Sequence, residues 1–485
     1  MTAFLRRPEA ALFVLVLGAY AYFYQAGGWN QNARFDLVRA IVERGTLRID
    51  AYESNTGDKA ERDGHLYSDK APGVSLTALP VYAAAHALGQ EARETDRFQA
   101  LASYLCTVWA VALPSALAVV ALYLFLIDVL HLAPRSGAAF AIAYAFGTLA
   151  FPYSTLLYGH QPAVAFAFLG FAILARARHR SEAPVEPRRL LAAGLALGWA
   201  VVIEYPAALT VAAVAVYALA TIRPWRRLAW LALAMAAGLA VLLAYHALAF
   251  GGPFHLPYSF SVQQPRHRGL FMGLVPPTLR VLRYLLVDEY RGLFYGSPWL
   301  LLAVPGAWFL LRDRRVRPEA VVCVAVALLY LALNASLTDW HGGWGMGPRH
   351  LVAVLPFLAV LAAGVTARLG RRALAIAGGG AALVSIFLML AGTSVKPEVP
   401  RVEERPFTAF LLPSFLEGRL ALNTQSIDMV TGRGHTLRRA WNLGERLGLE
   451  GLATLVPLAV FVLGALAWLL AALRAQGRAA NAGAG

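Results

Sequence analysis

Apolar residues run along the chain in long blocks separated by short polar connections, with no sustained period-2 alternation. Most blocks approach the roughly 20 residues that a helix needs to cross the hydrocarbon core of a bilayer. The first, Ala10 to Ala26, follows Arg6 and Arg7 and lacks a small-residue cleavage site, so it reads as a retained helix. Others lie at 99–127, 137–152, 161–175, 190–203, 207–221, 229–250, 293–311, 319–337, 350–367, 373–393 and 452–473. The pattern predicts an all-α, polytopic transmembrane bundle of about 12 spans. Val74 to Leu88 departs from it: about 15 residues interrupted by Pro80 are too few to cross, and predict an interfacial or re-entrant helix. That leaves 27–98 as one long outer loop. Within it, Asn32, Asp36, Arg39 and Glu43 recur at helical spacing opposite Phe35, Val38 and Val42, which predicts a second, amphipathic helix on the membrane surface, where Asp36 reads either as a partner of Arg39 one turn away or as a group with a chemical role. The chain then divides into a core at 1–393, an outer loop at 394–451, and a last span with its tail at 452–485.

Composition agrees with a membrane protein: 59% of the 485 residues are hydrophobic and 15% charged, too little polar surface to coat a soluble globule. Only Cys106 and Cys323 are present, both inside apolar blocks, so neither a disulfide framework nor a thiolate metal site is expected. The formal charge of +15 suggests nucleic acid until its distribution is read. Of the 43 Lys and Arg, 20 fall at the termini and in the loops facing the side of the N-terminus, such as Arg176 to Arg189 and Arg312 to Arg317. The short loops of the other side, 153–160, 204–206 and 338–349, carry Arg349 alone. Positive charge of this kind fixes orientation and implies no nucleic-acid partner. The reading places both termini in the cytoplasm of a bacterium, the chain in its inner membrane, and any chemistry in the long loops on the periplasmic side.

Those loops hold the candidate chemistry. Tyr67-Ser68-Asp69-Lys70-Ala71-Pro72-Gly73 sets a carboxylate beside a lysine at membrane depth, an arrangement that is costly unless it binds something. Lys70 suits a phosphate as a point charge, and Asp69 can accept a proton. His160 stands at the start of a span, in Tyr158-Gly159-His160-Gln161-Pro162, where it can donate to a phosphoryl or hydroxyl oxygen. Glu204-Tyr205-Pro206 is a tight turn whose carboxylate reads equally as a plain interface residue. The densest signal is Asp339-Trp340-His341-Gly342-Gly343-Trp344-Gly345-Met346-Gly347-Pro348-Arg349-His350. Its glycines let backbone amides approach a ligand, and Arg349 at a helix start opposes the helix dipole unless an anion lies between them. The segment from Gly251 to Gly269, with His255, Tyr258, Gln263, Arg266, His267 and Arg268, reads as a cover or a connector.

This layout resembles the GT-C superfamily of polytopic glycosyltransferases, and within it the protein O-mannosyltransferase and aminoarabinose transferase branch, glycosyltransferase family 39. The resemblance spans the whole multi-helix plan and rests on Arg34 to Leu47, on Asp69-Lys70-Ala71-Pro72, and on the glycine-rich loop ending in Pro348-Arg349. One departure matters: the family usually carries an acidic pair before the position of Arg34, where this chain has Asn30-Gln31-Asn32. The resemblance implies transfer of a sugar from a polyprenyl-phosphate carrier to a hydroxyl of a glycan, lipid or protein, on the outer face of the membrane. Lys70, Arg349 and Arg34 would then meet the donor phosphate, with His160 as an auxiliary donor and Asp36 or Asp69 as the base. Tyr67, Asp339, Trp340, His341, Trp344 and His350 would line the substrate. No cofactor is expected, and no metal-ligand spacing is present, although the sequence leaves a divalent ion open. Two other readings fit the span count: a transporter or flippase of polyprenyl lipids, and an inactive scaffold of the same fold. Against transport, ionisable residues crowd one surface rather than the bilayer midplane, and no repeat relates the two halves.

Overall fold

The computed structural model describes residues 6–89, 96–180, 184–262, 273–370, 372, 374–426 and 436–482. Gln263, Arg266, His267 and Arg268 lie outside them. Helices form where the apolar blocks lie: α1 (Pro8–Ala21), α2 (Trp29–Arg44), α3 (Gly73–Leu88), α4 (Arg97–Asp128), α5 (Pro134–Phe146), α6 (His160–His179), α7 (Pro187–Ile203) and α8 (Ala207–Thr221). They continue as α9 (Leu228–Phe250), α10 (Leu279–Leu286), α11 (Pro298–Arg312), α12 (Arg317–Ala335), α13 (Arg349–Ala367), α14 (Gly379–Val395), α15 (Pro406–Leu416) and α16 (Val456–Ala482). Each of the twelve predicted blocks holds one of these. Among the described residues seven helices are long and apolar enough to cross a membrane, those at α4, α6, α9, α12, α13, α14 and α16. The other five, α1, α5, α7, α8 and α11, are shorter, none exceeding the 17 residues of α7.

Burial sorts the spans. The apolar stretches of α4, α6 and α13 are 72%, 72% and 78% buried within the protein, against 28%, 28% and 22% for α9, α14 and α16. The first three form the centre of the bundle, and the last three turn most of their surface outward, as a lipid-facing helix must. Between α7 and α9, small residues bring the backbones together. A side chain at Gly198 or Gly238 would reach within 2.8 Å of the opposing helix's backbone, so Gly194-Leu195-Ala196-Leu197-Gly198 is a small-residue packing seam.

The first loop differs from expectation. Helix α2 is present, but Asn30, Gln31, Asn32, Arg34 and Asp36 on it are buried, with Asp36 wholly enclosed. It is an internal helix roofed by the loops, so its polar residues meet protein and not water. Arg39 pairs with Glu43 one turn on, at 2.9 Å, while Asp36 accepts a hydrogen bond from the Asn55 amide at 2.9 Å. A β-hairpin of Lys59–Arg62 and His65–Ser68 follows, absent from the sequence reading. Its turn is Asp63-Gly64, both with positive φ, 53° and 77°, the two-residue turn that an Asp-Gly pair favours. Tyr67 from this hairpin packs on Phe250 at 5.5 Å in an apolar cluster with Tyr245.

Helix α3 then carries the chain back across the end of α7. A Cβ on Gly73 would lie 2.5 Å from the Ile203 backbone nitrogen, so only glycine permits this crossing. Gly73→Ala should therefore push α3 off α7 and lower stability by about 1–3 kcal/mol, the usual cost of overpacking, measurable by thermal unfolding in detergent. The distal segment after α14 is woven into the same end: Phe23–Tyr24 pairs antiparallel with Trp441–Asn442, and the Ala421 amide donates to the Ser394 carbonyl at 2.8 Å.

Candidate active site

The loop end of the bundle gathers charges that a membrane protein seldom buries. His160 opens α6, and Glu204 closes α7 in the turn Glu204-Tyr205-Pro206. The two segments touch closely enough that a Cβ on Gly159 would strike the Glu204 carboxylate. Arg34, one turn into α2, reaches the same place. Its guanidinium donates to Glu204 Oε1 at 2.7 Å, to the Ala71 carbonyl at 3.1 Å and to Asn30 Oδ1 at 3.1 Å. Every arm of Arg34 therefore meets a protein acceptor, and Glu204 Oε1 also lies 4.0 Å from His160 Nδ1.

Lys70 stands beside this pair. The hairpin ends at Ser68, whose hydroxyl accepts from the Lys70 amide, and the Pro72-Gly73 turn starts α3, so the lysine is fixed between two rigid elements. Its Nζ sits 3.0 Å from Asp58 Oδ2 and 2.9 Å from Asp69 Oδ1. Two carboxylates around one ammonium raise the Lys70 pKa despite burial, so Lys70 stays charged. Burial pushes the Asp69 carboxyl up to about 6; Lys70 pulls it down and Asp58 pushes it further up. Asp69 thus changes charge near neutrality.

Arg349 approaches from the glycine-rich loop. Gly342, Gly343 and Gly347 hold left-handed φ of 71°, 69° and 60°, and a Cβ on Gly342 would come within 2.9 Å of the Arg349 side chain. The glycines shape a seat for the arginine. Their amides do not wait for a ligand: Gly342 donates to the Asp339 carbonyl, Gly343 to His341 Nδ1 and Gly345 to the Val399 carbonyl. Buried Arg291 holds the loop from beneath through the carbonyls of His341 and Gly343. Arg349 itself forms no ion pair among the described residues. Its Nε has no hydrogen-bond partner there, and one terminal nitrogen makes a long 3.4 Å contact to the Trp344 carbonyl. Its guanidinium carbon is 5.8 Å from the Tyr158 ring centroid.

Shared neighbours tie these groups into one site. The charges of Arg349, Arg34 and Lys70 all act on the His160 ring, and Asp58 acts on Arg349 as well as holding Lys70. His350 meets His160 edge to face, with centroids 5.4 Å apart. On the far flank, Tyr158 donates to Glu398 Oε1 at 2.6 Å, and Gln31 and Asn423 donate to Oε2 at 3.1 and 2.7 Å. Burial raises the Glu398 pKa, against the pull of those donors and of Lys396.

Asp69, Lys70, His160, Arg349 and His350 are thus brought together, with Arg34 behind them. Asp36 is sealed below, against Asn55. Tyr67 belongs to its apolar cluster, and Trp340 stacks on Tyr284 at 5.3 Å. His341 accepts the Gly343 amide and lies 3.8 Å from Asp339, so both serve the loop's own geometry. Trp344 is 42% exposed beside Lys396, at the rim. Sequence reasoning gave no role to Asp58, Arg291 or Glu398 and none specifically to Glu204. A lone carboxylate between two spans was the available signal for Glu204; nothing local marks the other three. Among the described residues no three His, Cys, Asp or Glu side chains form a metal-ligand group.

No family model matches the chain, and no curated protein matches it in sequence. Solved structures do. ArnT from Cupriavidus metallidurans bound to undecaprenyl phosphate superposes with a TM-score of 0.51 and 16% identity, covering 96% of this chain and 76% of that one. Its apo state gives a TM-score of 0.50 and 17% identity, covering 95% and 74%. The apo oligosaccharyltransferase of Archaeoglobus fulgidus aligns more distantly, with a TM-score of 0.47 and 14% identity over 81% of this chain and 56% of that one. At such identity the likeness concerns architecture alone: this protein shares its fold with the ArnT structures over nearly all of its chain.

Proposed function

We propose that the protein transfers a sugar from a polyprenyl-phosphate-linked donor to an acceptor hydroxyl at the loop end of the bundle, which the arginine distribution assigns to the outer face of the membrane. The observation that carries this reading is Arg349, a cation whose charge acts on the His160 ring, as that of Lys70 does, and that meets no carboxylate among the described residues. Such a guanidinium calls for an anion, and a phosphate offers the forked acceptor that it fits. The match to a structure solved with undecaprenyl phosphate supports the choice of anion.

In this reaction the bond between the sugar's anomeric carbon and the phosphate oxygen breaks as the acceptor oxygen bonds to that carbon. The leaving phosphate gains negative charge, which Lys70 and Arg349 stabilise where it develops. His160 donates to a phosphoryl oxygen. The acceptor's proton goes to Asp69, whose carboxyl ionises near neutrality, in preference to enclosed Asp36. Arg34 acts by holding Glu204 and the Ala71 turn in place and does not touch the phosphate.

Two measurements follow. Purified protein given a labelled polyprenyl-phosphate sugar and an acceptor should release free carrier phosphate; an intact carrier would leave a transporter or a scaffold. The pH profile carries the sign of Asp69. Above about 6 the carboxylate is free to take a proton, and as the pH falls through that value it is occupied and the rate declines. Asp69→Asn should be slow at every pH and lack this acid limb; an unchanged limb in that variant would assign the base elsewhere.

A further inference from the structure

Glu398 is a buried carboxylate that the transfer mechanism leaves unused, and its contacts lead to Arg349. It lies three residues beyond the end of α14 and is 6% exposed. Three segments distant in the chain converge on it: Tyr158 donates to Oε1 at 2.6 Å, and Gln31 and Asn423 donate to Oε2 at 3.1 and 2.7 Å. Gly28 leaves room for this, since a Cβ there would strike the carboxylate. Two of the donors are fixed in turn. The Gln31 amide oxygen accepts from the Leu157 backbone at 3.0 Å, and Asn423 also donates to the Gln25 carbonyl at 2.6 Å, so neither side chain turns over without losing a bond.

The consequence at the candidate site runs through the Tyr158 ring. With its hydroxyl tethered to Glu398, the ring centroid stands 5.8 Å from the Arg349 guanidinium carbon and 6.0 Å from the His160 ring. The residue after Glu398 holds the loop that carries the arginine, because the Val399 carbonyl accepts from the Gly345 amide at 2.9 Å. Tyr153, with its ring 5.9 Å from that of Tyr158, donates to the Met346 carbonyl of the same loop at 3.0 Å. Among the described residues the Arg349 side chain makes one hydrogen bond, the long contact to the Trp344 carbonyl, so the ring and the loop around it set its place.

We propose that Glu398 is a positioning residue: by tethering Tyr158 it sets the Arg349 guanidinium on the phosphate of the lipid-linked donor. This rests on the phosphate role assigned to Arg349 above. Glu398 touches neither the substrate nor the reacting atoms and acts through the tyrosine.

Binding of undecaprenyl phosphate to the purified full-length protein tests this. Tyr158→Phe keeps the ring and leaves Gln31 and Asn423 on their acceptor, so its folding is secure; Glu398→Ala removes the tether from the other side. Each should weaken binding about tenfold, the scale of one desolvated contact between a cation and a ring. Glu398→Gln still bridges Tyr158 and the two amides, and it should bind nearly as well as wild type. In an Arg349→Ala background, Tyr158→Phe and Glu398→Ala should cost nothing further, whereas a merely structural role would weaken binding equally in both backgrounds and overturn the proposal. Unchanged binding in both single variants would overturn it too, as would a glutamine variant as weak as the alanine one, which would make charge and not the tether the cause. Release of carrier phosphate from a labelled sugar donor judges the transfer reading separately. A wild type that shows the coupling to Arg349 but transfers no sugar would keep the positioning role and remove only the enzyme; a wild type that binds no undecaprenyl phosphate would remove both.

Discussion

Lys70→Ala is expected to slow sugar transfer by about two to three orders of magnitude, the roughly 2.7–4 kcal/mol that a preorganised donor to a developing anion supplies. Lys70 is fixed between the hairpin and α3, with Asp58 and Asp69 at 3.0 and 2.9 Å. Its removal has a second consequence that distinguishes chemistry from a loss of structure. Lys70 pulls the Asp69 carboxyl down while burial and Asp58 push it up, so without the lysine that carboxyl must rise above about 6. The acid limb of the residual activity should move to higher pH. Steady-state release of carrier phosphate across a pH series reads both effects, and wild-type rates with an unmoved limb would remove Lys70 from the mechanism.

Glu204→Gln should produce the largest loss of stability, about 3–5 kcal/mol, because it strands Arg34 as a buried charge. The side chains of this pair are 2% and 12% exposed, and Arg34 spends its other donors on Ala71 and Asn30, which tie α2 to the loop bearing Lys70. The neutral amide accepts from the guanidinium but does not balance it. Replacing both partners by apolar residues, Arg34→Met with Glu204→Leu, should recover much of the loss, since a buried pair repays little more than its desolvation. Thermal unfolding of the two variants in one detergent compares them directly. A loss under about 1 kcal/mol for Glu204→Gln would match an exposed ion pair and contradict the buried reading.

The helical plan was legible because lipid leaves few options: a long apolar run must become a helix that satisfies its own backbone, and charge in short loops orients it. Lys70 and Arg349 could be singled out for the same reason, as charges at membrane depth ask for an explanation. Other features depended on contacts across the chain. Amphipathic spacing gave α2 two faces but could not show that a roof formed by the 46–72 loop and the segment after α14 would cover the polar one, which is why Asp36 reads as accessible in sequence and is enclosed in the fold. Gln31 and Glu398 are 367 residues apart and meet at 3.1 Å, a pairing with no local signal. The glycines near Arg349 were legible as special positions, yet only the geometry shows that their amides are already taken. The Asp63-Gly64 hairpin turn was readable from its dipeptide and went unread among polar neighbours.

The central claim is that Lys70 and Arg349 grip one leaving phosphate. Cryo-electron microscopy of the protein with polyprenyl phosphate bound addresses it most directly. The account predicts a phosphate within hydrogen-bonding distance of both the Lys70 ammonium and the Arg349 guanidinium, with the His160 ring alongside and the isoprenoid running outward between the helices. A phosphate touching neither cation, or one of them with the other turned away, would contradict it.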